Sequence, residues 1–276
     1  MKAGLSTHLF ANQRLSSHIL DQIFTAGFRQ VEIFAARQHL DYYNENSVRD
    51  LAQWFSDHSL SLHSLHAPVF SDFDWGRSGG LPISLAHLEK RRRIDSMDEI
   101  KRAIAVAERL PFRFLVTHLG LAEDDYNLSR FDAAFSSLEH LKVFAKERGV
   151  AILLENMPGE LSSPERLAEF VRYTRLDVKV CFDTGHAHLT GGVLEGFNQL
   201  KPLIATVHLH DNRGEKDEHL FPFEGSIDWG PVIESLHTLD GAVPALLEPR
   251  DSGPEAKPLS HMNEIIKKIR DSSPGG

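Results

Sequence analysis

Short runs of apolar residues alternate with longer amphipathic segments from one end of the chain to the other. The short runs predict eight β-strands, at residues 3–8, 30–34, 60–65, 112–118, 150–155, 178–182, 204–209 and 243–248. The amphipathic segments predict eight α-helices, at residues 16–26, 47–57, 86–109, 129–148, 163–173, 193–200, 231–239 and 259–271. Repeated alternation of strand and helix implies a parallel sheet with helical crossovers.

Eight strand–helix units in a chain of 276 residues fit the usual size of a closed barrel. The predicted fold class is therefore α/β, a single (β/α)8 TIM barrel. An open doubly wound sheet is the alternative, but no Gly-x-Gly-x-x-Gly motif follows the first strand. No linker divides the chain, so we predict one domain over residues 1–276 with a frayed tail from about residue 271.

Local capping signals support several of these helix boundaries. Ser163 precedes a proline and an acidic residue, a pattern typical of a helix start. Ser129 is placed to cap the fourth helix. Gly27 and Gly149 lie just past the ends of the first and fourth helices, where a left-handed residue is common.

Composition indicates an ordinary globular protein, with 41% hydrophobic and 25% charged residues. The formal net charge of −9 argues against a nucleic acid or an anionic membrane as partner, although a local basic groove stays compatible with it. No apolar run suits a membrane span, and the N-terminus lacks the apolar core of a signal peptide. Cys181 is the only cysteine, which excludes an intrachain disulfide and suggests a buried strand position. We therefore expect a cytoplasmic enzyme or binding protein.

Residues 180–188, Val-Cys-Phe-Asp-Thr-Gly-His-Ala-His, combine an apolar strand with a carboxylate and two imidazoles. Asp183 and His186 are three residues apart, where the strand is predicted to end and a loop to begin. A strand end followed by a turn can direct two metal ligands to one point. A polar strand end with a surface histidine is the ordinary alternative.

Similar polar residues follow the strands from the third to the eighth. Five are imidazoles and four are carboxylates: His66, His118, Glu155, Asp183, His186, His208, Asp217, His219 and Glu248. In a barrel these strand ends converge on one mouth. Clustered carboxylates repel one another unless cations neutralise them. The mixed ligand set suits Zn²⁺, Mn²⁺, Fe²⁺ or Co²⁺ better than Ca²⁺.

Several of these residues also have ordinary structural explanations. His66 could cap a turn, and His118 could be a buried histidine that is hydrogen-bonded to the backbone. Asp217 and His219 could be solvated loop residues. Glu155 and Glu248 fit such roles less well, because each follows an apolar run and a buried carboxylate without a partner is costly. Three further histidines are not predicted as ligands: His63, His188 and His210.

Two long connections follow the third and seventh strands, at residues 70–85 and 210–230. Long loops on this face of a barrel commonly cover or shape a site. We expect Trp75 and the first loop to exclude water from the site. Arg213, in the second loop, is either a solvated charge or a ligand for a substrate hydroxyl or phosphate.

Six segments resemble the xylose-isomerase-like TIM-barrel superfamily. They are Leu-His-Ala-Pro at 65–68, Leu-Glu-Asn-Met-Pro-Gly at 154–159, Cys-Phe-Asp-Thr-Gly-His at 181–186, Val-His-Leu-His-Asp-Asn at 207–212, Asp-Glu-His at 217–219 and Leu-Glu-Pro at 247–249. The superfamily includes sugar-phosphate isomerases and epimerases, inosose dehydratase-type enzymes and the endonuclease IV class of apurinic nucleases. The resemblance spans nearly the whole chain and is specific for fold and metal site rather than substrate.

The resemblance to the sugar isomerases and epimerases implies one divalent ion on Glu155, Asp183, His208 and Glu248. The two glutamates would also form the acid/base pair. Four residues are candidates for substrate contact: His186, Arg213, Trp75 and His66. Endonuclease IV enzymes hold three zinc ions on residues matching all nine candidates, which implies a further metal on a second set of residues: His66, His118, His186, Asp217 and His219.

The expected function is a divalent-metal-dependent isomerase or epimerase that acts on a sugar, sugar phosphate or related polyol ketone by enediolate proton transfer. A multi-zinc phosphodiesterase or apurinic endonuclease is the alternative, and a non-catalytic sugar-binding barrel is a third hypothesis. Two departures count against the nuclease. Arg37 is the only fixed positive charge in the segment after the second strand, and Gly185 stands where that class carries a cysteine.

We expect a small-molecule sugar or sugar phosphate as partner, and neither a nucleic acid nor a membrane. The identity of the metal (Mn, Zn, Co, Fe or Mg) and the oligomeric state, a homo-oligomer included, stay open.

Overall fold

Eight parallel strands close into a barrel in sequence order, with β1 paired to both β2 and β8. The computed structural model describes residues 2–250 and 259–271. The strands are β1 (Lys2–Ser6), β2 (Gln30–Phe34), β3 (Ser61–His66), β4 (Phe114–Thr117), β5 (Ala151–Glu155), β6 (Lys179–Asp183), β7 (Ile204–Leu209) and β8 (Pro244–Leu247). The predicted (β/α)8 TIM barrel is confirmed.

Nine α-helices occur within the described ranges. They are α1 (Ser17–Thr25), α2 (Glu45–Asp57), α3 (Lys90–Ala105), α4 (Leu128–Lys146), α5 (Pro164–Thr174), α6 (Thr184–Leu189), α7 (Val193–Leu200), α8 (Trp229–His237) and α9 (Leu259–Asp271). None of these helices is long and apolar enough to cross a membrane. Asp271 ends α9, and the rest of the predicted frayed tail, residues 272–276, lies outside the described residues.

The loop predicted directly after β6 was wrong, because helix α6 begins there. The Asp183 carboxylate accepts a hydrogen bond from the backbone N–H of His186 at 2.7 Å and so caps this helix. Six residues are too few to show a helical period in the sequence. The cap fixes Asp183 and His186 relative to each other.

The predicted helix caps are partly confirmed. Ser163 caps α5, and Gly27 and Gly149 have φ angles of 98° and 72°, as left-handed residues after a helix do. The cap predicted at Ser129 was wrong. Asn127 occupies that position, and its side chain accepts the backbone N–H of residue 130 at 2.9 Å.

The barrel interior contains a small apolar core, and the mouth at the C-terminal ends of the strands is polar. Phe114, Val116, Leu153 and Cys181 form a small core inside the barrel, and the larger core lies between the strands and the helices. Strand residues alternate between the two sides. The position after Cys181 therefore packs outward, and Asp183 faces the interior again, next to the mouth.

Candidate functional site

Four predicted ligands meet at the C-terminal ends of β5 to β8. Glu155, Asp183, His208 and Glu248 each place one ligand atom within 4.8 Å of the others, and each is at most 2% exposed. The Nδ1 of His208 lies 2.9 Å from Glu155 Oε1, 3.1 Å from Glu248 Oε2 and 3.9 Å from Asp183 Oδ2. We call these four residues the central cluster.

The central cluster fits a divalent cation by its chemistry. Asp183 Oδ2 is buried and has no hydrogen-bond partner, which is costly for a carboxylate oxygen. Three carboxylates converge there on one imidazole nitrogen. Oxygen ligands with one imidazole suit Mn²⁺, Zn²⁺, Co²⁺, Fe²⁺ or Mg²⁺.

Charges in the cluster stabilise one another in spite of burial. Burial alone would raise the pKa of Glu155, but the charge of His208 and hydrogen bonds from three imidazoles hold it well below its usual range. Burial likewise opposes, yet does not prevent, a raised pKa of about 9 for His66, whose main partner is Glu155. The glutamate is therefore ionised, and His66 must release a proton before it binds a metal.

A second group of residues shares Glu155 with the central cluster. The Nε2 atoms of His66 and His118 lie 3.1 Å and 3.0 Å from Glu155 Oε2. The other oxygen, Oε1, faces His208. His66, His118 and Glu155 could hold a metal ion between them, so one carboxylate joins two candidate sites.

A third group, the outer cluster, consists of His186, His210, Asp217 and His219. The Nε2 atoms of His186 and His219 each lie 3.2 Å from Asp217 Oδ2. His210, which the sequence did not assign as a ligand, stacks on His219 with ring centroids 3.8 Å apart. Its Nε2 lies 2.9 Å from Asp183 Oδ1, so His210 connects the outer cluster to the central one.

The loop that carries the outer cluster is organised by a buried carboxylate. Asp211 Oδ1 accepts the backbone N–H groups of residues 212 and 227, and Oδ2 accepts the backbone N–H of residue 223 and the indole N–H of Trp229. These bonds fix the path of the loop that brings Asp217 and His219 to the cavity. His219 itself has a φ of 49°, a strained value for a non-glycine residue of the kind found at functional sites.

A cavity of about 140 Å³ opens beside the three groups. Its polar wall contains Glu155, Glu248 and His186, and its aromatic wall contains Phe34 and Trp75. The two aromatic rings pack edge to face, with centroids 5.4 Å apart. Trp75 comes from the loop after β3, as the sequence predicted. The cavity is therefore lined by both acid/base groups and aromatic rings.

The structure does not bring Arg213 to this cavity. Its side chain is 61% exposed and forms an ion pair with Glu218. His63 and His188, which were not predicted as ligands, also lie outside the three groups. The ring of His63 packs against Phe114, and His188 Nε2 lies 3.0 Å from the hydroxyl of residue 226.

Sequence reasoning missed two polar residues near the site, His8 and Glu32. His8 follows β1 and lines the cavity, and burial holds the pKa of its imidazole well below the usual range. Glu32 lies in β2, fully buried inside the barrel. Both left a signal, because His8 ends the first predicted strand and Glu32 is a charge between Val31 and Ile33.

Comparisons with known proteins agree with this architecture. The sequence model of a family described as "Xylose isomerase-like TIM barrel" matches residues 20–269. Uncharacterized protein MJ1311 of Methanocaldococcus jannaschii is 30% identical over 256 residues, covering 88% of this chain and 82% of that protein.

Two solved structures resemble the whole barrel. A D-tagatose 3-epimerase-like protein matches with a TM-score of 0.79 and 28% identity, covering 98% of this chain and 97% of that one. The IOLI protein, solved with a zinc atom, matches with a TM-score of 0.78, covering 99% and 98%. At 20% identity the second likeness shows the fold alone.

Proposed function

Since the chain belongs to the xylose isomerase-like TIM barrel family, we propose that it is a divalent-metal-dependent isomerase or epimerase acting on a small sugar, sugar phosphate or related polyol ketone. One observation carries the proposal. Two buried glutamates, Glu155 on β5 and Glu248 after β8, approach the same imidazole nitrogen and line the same cavity. The likeness to a D-tagatose 3-epimerase-like protein supports the reaction class.

In this proposal the central cluster holds the cation, which when bound supplies Lewis-acid polarisation of a substrate carbonyl. Glu155 removes a proton from the carbon beside the carbonyl, and Glu248 returns one, or the reverse. His66 and His186 line the cavity, and in this proposal they contact substrate oxygens. Trp75 limits the entry of water. Arg213 stays a predicted substrate ligand, although its exposed side chain pairs with Glu218 outside the cavity.

The first prediction tests the reaction. Incubation in D₂O with phosphorylated and unphosphorylated ketoses should place deuterium on a carbon beside the carbonyl, detected by NMR. Exchange should stop after chelation and return with Mn²⁺, Co²⁺ or Zn²⁺. Sugar binding without exchange in the metal-loaded protein would instead identify a non-catalytic binding barrel.

A metal-dependent phosphodiesterase is a second candidate, favoured by one specific observation. All nine residues that resemble the three-zinc set of endonuclease IV lie in the three adjoining groups. The electrostatics oppose DNA as its substrate, because the net charge is −9 and Arg37 stacks on Tyr43 at 4.0 Å. Incision of a duplex with an abasic site, without deuterium exchange into any ketose, would favour this candidate.

The second prediction concerns the number of ions. If the outer cluster binds a cation, Asp217→Ala and His219→Ala should each lower the bound Zn²⁺ per chain without emptying the central cluster. Both residues contribute to one group around Asp217 Oδ2, so either loss removes a ligand from the same site. His188→Ala is the matched control, because this loop-facing histidine lies outside the three groups.

Elemental analysis after dialysis measures the metal content of these variants. Equal zinc in both variants and the unchanged protein would show that Asp217 and His219 are not ligands.

A further inference from the structure

A fully buried carboxylate lies in the barrel interior next to the central cluster. Glu32 is not exposed to solvent and does not line the cavity. Its Oε2 accepts a hydrogen bond from the hydroxyl of Ser64 at 2.7 Å, and its Oε1 lies 3.0 Å from Nε2 of His208. A buried charge is costly without a partner, so these contacts explain why it is tolerated.

His208 is thus held between acidic groups on both ring nitrogens. Nδ1 faces Glu155 and Glu248, and Nε2 faces Glu32. The Nε2 contact has the distance of a hydrogen bond but not its alignment, so it is an electrostatic contact rather than an aligned hydrogen bond. An imidazole binds a cation through the nitrogen without hydrogen, and a carboxylate at the other nitrogen favours that tautomer.

Ser6 connects the same carboxylate to a second residue of the central cluster. Its hydroxyl lies 3.1 Å from Glu248 Oε1 and 3.4 Å from Glu32 Oε1. Ser6 is fully buried at the end of β1. A polar chain therefore runs across the barrel interior from β3 through Glu32 to His208 on one side and to Glu248 on the other.

We propose that Glu32 is a positioning residue that holds His208 with Nδ1 directed at Glu155 and Glu248. Glu32 acts through His208, because it neither lines the cavity nor directly contacts the three carboxylates of the central cluster. Ser6 extends the same support to Glu248. This inference rests on the proposed function, since it takes the central cluster as the cation site.

The test is the affinity for Zn²⁺, measured by competition with a chromophoric chelator, together with the visible spectrum of the Co²⁺-loaded protein. Glu32→Leu should weaken Zn²⁺ binding by about 10–100-fold, the usual effect of losing such a supporting residue. The Co²⁺ bands should shift, which a general loss of stability would not cause. Glu32→Gln keeps an acceptor oxygen, so its loss of affinity should be smaller.

Glu99→Gln is the matched control. Glu99 is also a buried glutamate, but it accepts hydrogen bonds from the hydroxyls of Tyr42 and Tyr43 and forms an ion pair with Arg102. It lies on α3 and does not line the cavity. Its replacement should leave both readouts unchanged. If the leucine variant does not fold, Glu32→Gln and Ser6→Ala carry the test.

Outcomes for the inference and for the proposed function are separable. If the unchanged protein binds Zn²⁺ and the Glu32 variants match it in affinity and Co²⁺ spectrum, Glu32 has no positioning role and the metal site stands. If the unchanged protein binds no divalent ion, both the inference and the metal-dependent function are wrong. If the Glu32 variants lose Zn²⁺ affinity and Glu99→Gln does not, the inference is supported.

Discussion

Replacing either Glu155 or Glu248 by glutamine should lower turnover by about 10²–10⁴-fold, the usual contribution of a positioned acid or base, while the barrel stays folded. Glutamine keeps the size and one carbonyl oxygen but cannot accept the proton. The two glutamates come from β5 and from the residue after β8, so they reach the cavity from different strands. Each replacement removes one of the two groups that the proposed proton transfer needs.

Metal affinity should respond unequally to these two replacements. Both carboxylate oxygens of Glu155 contact imidazoles: Oε1 lies near His208, and Oε2 lies near His66 and His118. Glu248 contacts one imidazole of the central cluster and the hydroxyl of Ser6. We therefore expect Glu155→Gln to weaken cation binding more than Glu248→Gln.

Turnover at saturating metal separates catalysis from metal binding. The rate loss should persist when elemental analysis shows that the site is full. Full recovery of activity with excess metal would mean that the carboxylates only hold the ion, and the two-base mechanism would have to be abandoned. Glu99→Gln again provides the control for a buried glutamate outside the site.

The barrel could be predicted because its strands are short, apolar and bounded by polar segments. β2 and β7 coincide with their predicted boundaries, as do α7 and α9. The third helix was predicted to start at residue 86, yet α3 begins at Lys90, because residues 85 and 86 are buried by tertiary packing in an irregular segment. Periodicity reports burial, and burial alone does not distinguish a helix from a packed turn.

The ligands at the strand ends could be predicted because parallel strands of a barrel bring those ends to one mouth. The position of His210 could not be predicted, because its place in the outer cluster depends on the conformation of the loop that brings His219 against it. The direction of Arg213 depends on the same loop, whose path is set by bonds to Asp211. Loop geometry of this kind has no period in the sequence.

Gly185 should tolerate no side chain while His210 keeps its present position. It is the second residue of α6, and a Cβ atom there would overlap the imidazole ring of His210. That ring is fully buried, with Nε2 2.9 Å from Asp183 and one face stacked on His219. It cannot swing aside without breaking both contacts.

We therefore expect Gly185→Ala to lower the free energy of unfolding by about 1–3 kcal/mol, the typical cost of overpacking, although alanine is the better helix former. In a protein of this size each kcal/mol corresponds to a fall in melting temperature of about 2–4 °C. Gly241→Ala is the control, because a Cβ there meets no atom within 4 Å. Calorimetry that finds Gly185→Ala as stable as the control would contradict the expected clash.

The cost should depend on the residue at position 210, and that dependence is the sharper test. His210→Ala removes the ring that the new Cβ would meet, so Gly185→Ala should destabilise the His210→Ala background much less than the original protein. Contacting residues show such non-additivity, whereas independent sites add. A cysteine at position 185, which the resemblance to the endonuclease IV class would place there, would meet the same ring. A cost at Gly185 that is equal in both backgrounds would mean that strain in α6, rather than the His210 ring, opposes a side chain there.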